Sequence, residues 1–224
     1  MGTATGTGRP DMSDPVARLS LIQWLSPAFP TGGFAYSHGL EWAISAGQVT
    51  TARALAEWLA DILDCGAGWQ DAVLLSLSLR PGADHAALDD LARALQPSAE
   101  RLAETLDQGR AFAVTVAALT GHDLPTRALP VAVGAAARPL GLDPSEVIGH
   151  YLHTFVGNLV SVATRFVPLG QTEGQAVLHG LHSQIVSLAR RAATAEEGDL
   201  GNAALGADLA AFRHETMETR IFRT

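Results

Sequence analysis

The sequence contains no lysine: all 15 of its basic residues are arginine, set against 23 acidic residues for a formal charge of -8. Without lysine the chain can build neither a Walker A phosphate loop nor a Schiff base. It is therefore not itself a P-loop GTPase. The arginines are scattered, and an acidic chain has little attraction for a phosphate backbone, so nucleic acid is not expected as a partner. Cysteine is nearly as scarce. Cys65 stands alone, which excludes an internal disulfide and a Cys-x-x-Cys zinc site and points to a reducing compartment, the cytoplasm.

The first residues, "MGTATGTGRPDMSDP", lack an apolar run of signal-peptide type, and Gly6 stands where a myristoylation motif carries Ser or Thr. Residues 1–15 read as a disordered leader, with Met12 as a second candidate start. No stretch of useful length alternates apolar with polar residues, so strands are not expected.

What the sequence has is helical periodicity. Leu55, Trp58, Leu59, Ile62 and Leu63 fall at i, i+3, i+4, i+7 and i+8, the stripe of an amphipathic helix. The pattern recurs over 16–25, 40–46, 69–79, 85–95, 99–119 and 130–137, with Pro and Gly between. "DPSE" at 143–146 puts Asp at an N-cap, Pro at the first helical position and Glu at N3, a reciprocal cap that should open a helix running to about residue 166. Val147, Ile148, Tyr151, Leu152, Phe155, Val156, Leu159 and Val160 make that helix apolar on more than one face and hence central. Glu146, His150, His153, Asn158 and Arg165 would be expensive in lipid, so burial in protein is expected rather than a membrane span. Further helices are predicted over 172–191 and 203–213, with 195–202 as a loop. The sum is a single globular all-α domain over 16–213, of roughly eight to ten helices, followed by a tail at 214–224.

The densest chemistry lies in "SPAFPTGGFAYSHGLEWA" at 26–43. "AYSHG" is one residue away from a G-x-S-x-G nucleophile elbow, which would make Ser37 the nucleophile of a serine hydrolase. The buried strand that an elbow needs is missing. His150 with His153, and His179 with His182, are pairs three apart that share a helical face and could hold a transition metal as neutral imidazoles. Two ligands seldom bind tightly, which leaves polar surface histidines as the plainer alternative. Gly32 and Gly33 can deliver Phe34 and Tyr36 at a sharp bend, while Ser37, His38 and Glu41 follow in a first helical turn. There His38 and Glu41 share a polar face.

Those residues also carry a resemblance. "SPAFPTGGFAYSHGLEWAI" is similar to the N-terminal signature of the urease accessory protein UreF family. "RFVPLGQTEGQAVL" at 165–178 and "RHETMETRIFRT" at 213–224 resemble two further segments of that family, and the likeness spans nearly the whole chain from Leu19. It implies an all-α accessory protein that is not an enzyme, works as a homodimer with UreD (also called UreH) and the GTPase UreG, and supports GTP-dependent nickel insertion into apo-urease as scaffold and GTPase regulator. Partner-binding residues are then expected at Phe34, Tyr36, Ser37, His38, Glu41, Arg165 and Gln171. The tail adds Arg220, Ile221, Phe222 and Arg223, which should be frayed alone and fold on a partner. No cofactor is expected to be held tightly; nickel in transit would use His150, His153, His179 and His182.

Overall fold

The computed structural model describes residues 14–167 and 169–224. The leader up to residue 13, including Met12 and Gly6, lies outside the described residues, as does Pro168 of the PLGQ segment. Among the described residues the chain forms eleven α-helices, three short 3-10 turns and no strand. The helices are α1 (Pro15–Trp24), α2 (Leu40–Ser45), α3 (Ala52–Cys65), α4 (Ala67–Leu79), α5 (His85–Ala94), α6 (Ala99–Thr120), α7 (Leu129–Ala137), α8 (Pro144–Phe166), α9 (Gln171–Gly180), α10 (His182–Ala192) and α11 (Leu205–His214). The single helix predicted over 172–191 is two, broken at Gly180–Leu181. This break places His179 and His182 on two different helices that meet at a corner. None of the described helices is long and apolar enough to cross a membrane.

Local chemistry fixes most helix starts. Thr51, Asp84 and Ser98 each accept a main-chain N–H of the first turn, supplying partners to donors that a helix leaves free. Asp143 caps α8 through Ser145 N–H at 2.8 Å. The reciprocal half of that cap is not made: Glu146 instead pairs with Arg18 of α1 at 2.9 Å, which ties the first helix to the central one.

α8 is the hub, as its two-sided apolar pattern implies, with Val147, Ile148, Leu152 and Val156 fully buried. α4 is a second hub. It packs against α3, α5, α7, α8 and α10, and nine consecutive positions, 70–78, are buried, Gln70, Asp71, Ser76 and Ser78 among them. Its polar residues are therefore interior groups that need partners. Gly109 of α6 lets the main chain at Arg127 come so near that a Cβ would stand 1.9 Å from its carbonyl oxygen. Small residues thus set how closely α6 approaches the strand of chain leading into α7.

Candidate functional site

Gly32 and Gly39 have φ of 76° and 77°, and His38 joins them at 61°. This left-handed region costs a residue bearing a Cβ roughly 1–2 kcal/mol. Between the two glycines the chain makes a 3-10 turn over Gly33–Ala35, extends at Tyr36 and then enters α2. At Gly39 the missing side chain also admits α11: a Cβ there would lie 2.6 Å from Ala211 N. The segment is thereby bent inward, and it receives the end of the chain.

The tail lies across this bend, with Ile221 and Arg223 exposed and Phe222 and Thr224 buried in alternation. Glu41 holds it. One carboxylate oxygen accepts Ile221 N–H at 2.8 Å and the other accepts Phe222 N–H at 2.9 Å. The second oxygen also faces His214 Nε2 at 3.0 Å, while His214 Nδ1 lies 2.7 Å from Glu100. Glu100 pairs in turn with Arg220, and its own N–H is accepted by Glu215 at 3.1 Å. Phe222 packs its ring against Phe166, centroids 5.5 Å apart.

Beneath this clamp lies a second buried network. Thr224 accepts the Ser37 N–H at 2.9 Å and the Ser37 hydroxyl on its main-chain oxygen, and its own hydroxyl donates to Glu104 at 2.9 Å. Glu104 also meets Arg101, Gln108 Nε2 at 3.2 Å and His38 Nδ1 at 3.3 Å. Burial works to raise the Glu104 carboxyl, but the Arg101 charge, His38 and the hydrogen bonds from both together outweigh it and hold the group at about 2. Burial first, and Arg101 second, push His38 down to about 4. Near neutral pH the pair is thus an ionised carboxylate beside a neutral imidazole, and His38 Nε2 is buried without a partner. A cavity of about 70 Å³ opens beside His38, lined also by Asp71, Tyr151, Gln108 and Asn158. Tyr151 donates to Asp71 at 2.6 Å. Burial lifts Asp71 to about 6 in spite of that bond, and lifts the Tyr151 hydroxyl well above its ordinary range.

Several expected positions are corrected by this geometry. Ser37, His38 and Glu41 do not present a polar face to solvent; they are 0%, 5% and 2% exposed because the tail covers them. Ser37 spends its hydroxyl on Thr224 and on accepting Glu41 N–H, and it has no base beside it and no access for a substrate. Phe34 is 64% exposed at the bend, while Tyr36 is buried and donates to Asp107 at 3.3 Å. The tail is ordered on its own domain rather than frayed. Of its expected contact residues, Phe222 is buried, Ile221 is 73% exposed, and Arg220 and Arg223 reach Glu100 and Asp107. Arg165 and Gln171 are exposed at the end of α8 and the start of α9.

The four histidines form one group rather than two. His153 and His182 stand 5.4 Å apart and His182 and His179 5.0 Å apart between ring centroids, with His150 along the same groove as His153 and His182. Among the described residues no three or more His, Cys, Asp or Glu side chains converge as a ready-made metal site. Sequence reasoning missed Arg101, Glu104, Asp71 and Tyr151. Arg101, Glu104 and Gln108 recur at i, i+3 and i+7 with Phe112 continuing the row, so a polar stripe on an apolar face was the available signal.

The family model described as UreF matches residues 49–182, from the chain before α3 to the start of α10. Proteins named urease accessory protein UreF are similar to this chain over most of its length. One from Cereibacter sphaeroides is 64% identical over 208 residues, covering 93% of this chain and 99% of that protein. One from Paracoccus denitrificans is 62% identical, covering 93% and 96%. One from Dinoroseobacter shibae is 51% identical, covering 93% and 99%.

Proposed function

Because the chain belongs to the UreF family of urease accessory proteins, which are accessories rather than enzymes, we propose that it is a scaffold for GTP-dependent nickel insertion into apo-urease. In this reading it works in the cytoplasm as a homodimer, holds UreD/UreH and the GTPase UreG together, and regulates GTP hydrolysis by its partner. A protein without a phosphate loop can do this by binding one conformation of the GTPase better than the other, since a ligand shifts an equilibrium only through differential affinity.

The observation that supports the reading is the convergence of three segments distant in sequence. The bend at 32–41, Phe166 ahead of the PLGQ segment and the tail at 220–224 are joined by the Glu41 clamp and the Phe166–Phe222 contact. Phe34, Ile221 and Arg223, which belong to these segments, leave their side chains exposed. Exposed apolar side chains together with a charged one on an ordered support suit a protein partner better than a small substrate. The expected folding-on-binding of the tail gives way to a preordered tail that docks through its outward side chains.

Co-expression with UreD/UreH and UreG, followed by pull-down on a tag placed on UreD/UreH, tests the proposal. The wild-type chain should be retained with both partners and should support urease activation. A chain that is folded yet retained with neither partner would overturn the scaffold role.

A further inference from the structure

At the corner between α9 and α10 three exposed imidazoles stand in a row, with His182 in the middle. The Gly180–Leu181 break puts His179 on the last turn of α9 and His182 at the first position of α10, and the packing of α10 along α8 brings His153 opposite. The separations are informative. An imidazole nitrogen binds a borderline divalent ion at about 2.0–2.1 Å, which places each ring centroid ~3.2 Å from the ion, so two rings at a tetrahedral angle stand ~5.2 Å apart. The observed 5.4 Å for His153–His182 and 5.0 Å for His182–His179 bracket that figure.

We propose that His182 is the shared ligand of a weak, solvent-open site for a borderline divalent transition metal such as Ni²⁺ or Zn²⁺, paired with His153 on one side and His179 on the other. The inference rests on this corner alone and does not depend on the scaffold role. Two imidazoles at a time, with water completing the coordination, agree with the absence of any converged set of three ligands among the described residues. The donor set selects the ion. Nitrogen ligands without carboxylates favour Zn²⁺, Ni²⁺ or Cu²⁺ over Mg²⁺ or Ca²⁺. Glu146, the acidic group lining the adjoining groove, is already engaged by Arg18, so no negative charge strengthens the hold.

The three imidazoles lie open to solvent. The facing groups are His150 and Glu146 from α8, His179 from α9, Arg190 from α10 and Arg18 from α1.

Calorimetric titration of the full chain with NiCl₂, and separately with ZnCl₂, tests the site at pH 7.5. One equivalent should bind, with affinity falling at least about tenfold in His182→Gln and only a few-fold in His153→Gln or His179→Gln, because each single loss leaves one pair intact. The double variant His153→Gln/His179→Gln should match His182→Gln, and His122→Gln, an exposed histidine in the α6–α7 connection, should bind as wild type. All these positions are exposed, so unchanged circular dichroism is expected. No binding by the wild-type chain, wild-type affinity in His182→Gln, or an equal loss in His122→Gln would each overturn the proposal. Since the titration uses the isolated chain, its failure would leave partner assembly untouched.

Discussion

Glu41 and His214, 173 residues apart in sequence, meet at 3.0 Å with side chains 2% and 0% exposed. Each is satisfied only because the other end of the chain arrives: Glu41 takes two main-chain N–H groups of the tail, and His214 bridges Glu41 to Glu100. The clamp turns a bend rich in glycine into a fixed surface.

Replacing the clamp carboxylate should therefore be a stability lesion before it is a binding lesion. Glu41→Ala leaves two tail N–H groups and a buried imidazole short of partners, a loss of about 2–4 kcal/mol by the cost of unsatisfied buried donors. Urea denaturation should show a lower midpoint, and limited proteolysis should cut the tail first. An unchanged midpoint with a protected tail would show that Glu41 is not the anchor.

Acid stability should follow three buried groups whose effects have opposite signs. His38 is lowered from 6.5 to about 4, so between those values the unfolded chain takes a proton that the folded chain refuses, and stability falls as pH falls. Asp71 is raised from 3.8 to about 6, so there the folded chain takes the proton first and stability rises as pH falls. Each effect is of order 3 kcal/mol, and they nearly cancel. Glu104 is held from 4.5 down to about 2; its contribution is complete above 4.5 and is lost as pH falls through 2. The melting temperature should stay level from pH 6.5 to 5 and drop below pH 4.5. Asp71→Asn should remove the compensation and decline already between 6.5 and 5. A variant curve parallel to wild type across that window would exclude Asp71 as the compensating group.

Much of this fold is legible in the sequence, and the reason is local. The helix opened by Asp143 and Pro144 ends at Phe166 as its apolar pattern implies, and α3 buries Leu55, Leu59, Ile62 and Leu63, four of the five residues of its stripe, with Trp58 half-buried. The site was harder to see. The Glu41–His214 and Asp71–Tyr151 pairs span 173 and 80 positions, and no spacing rule reaches across such separations. Glu41 shares a helical face with His38 by its i, i+3 spacing, yet whether that face meets water or the tail is decided by where residues 220–224 go.

Gly39 should tolerate no side chain. Gly39→Ala places a Cβ 2.6 Å from Ala211 N, and φ of 77° adds its own penalty. The left-handed strain alone costs roughly 1–2 kcal/mol, and backbone cannot move aside as a flexible side chain can. A melting temperature lowered further than in Gly47→Ala is expected, since Gly47 has a similar φ of 74° but nothing within 4 Å of its Cβ position. Equal shifts in the two variants would mean that the approach of α11 is not close.

Phe34 and Phe222 should separate binding from stability. Phe34→Ala removes a ring that is 64% exposed and should change stability by less than about 0.5 kcal/mol while weakening retention on UreD/UreH. Phe222 is 6% exposed and packed at a tilt against Phe166, so Phe222→Ala should cost about 3–5 kcal/mol through the cavity it leaves. If Phe34→Ala assembles with its partners as well as wild type, the outer face of the bend is not the docking surface.

Removing residues 220–224 combines these effects in one chain. The deletion takes Phe222 from Phe166, both main-chain donors from Glu41, Arg220 from Glu100 and the Thr224 hydroxyl from Glu104. It does not strand those carboxylates in a dry interior, because the segment that excludes water from them leaves as well. Glu104 keeps Arg101 and Gln108, and Glu41 keeps His214. The loss should therefore be about 3–5 kcal/mol from the ring and the hydrogen bonds, less than the roughly 5–15 kcal/mol that holds a typical domain together. None of the eleven helices includes the deleted residues. Far-ultraviolet circular dichroism at 20 °C should be unchanged while the melting temperature falls by roughly 10 °C, and pull-down on UreD/UreH should fail. An unchanged melting temperature would mean that the tail does not pack as described, and a destabilised chain that still assembles would remove the tail from the docking surface.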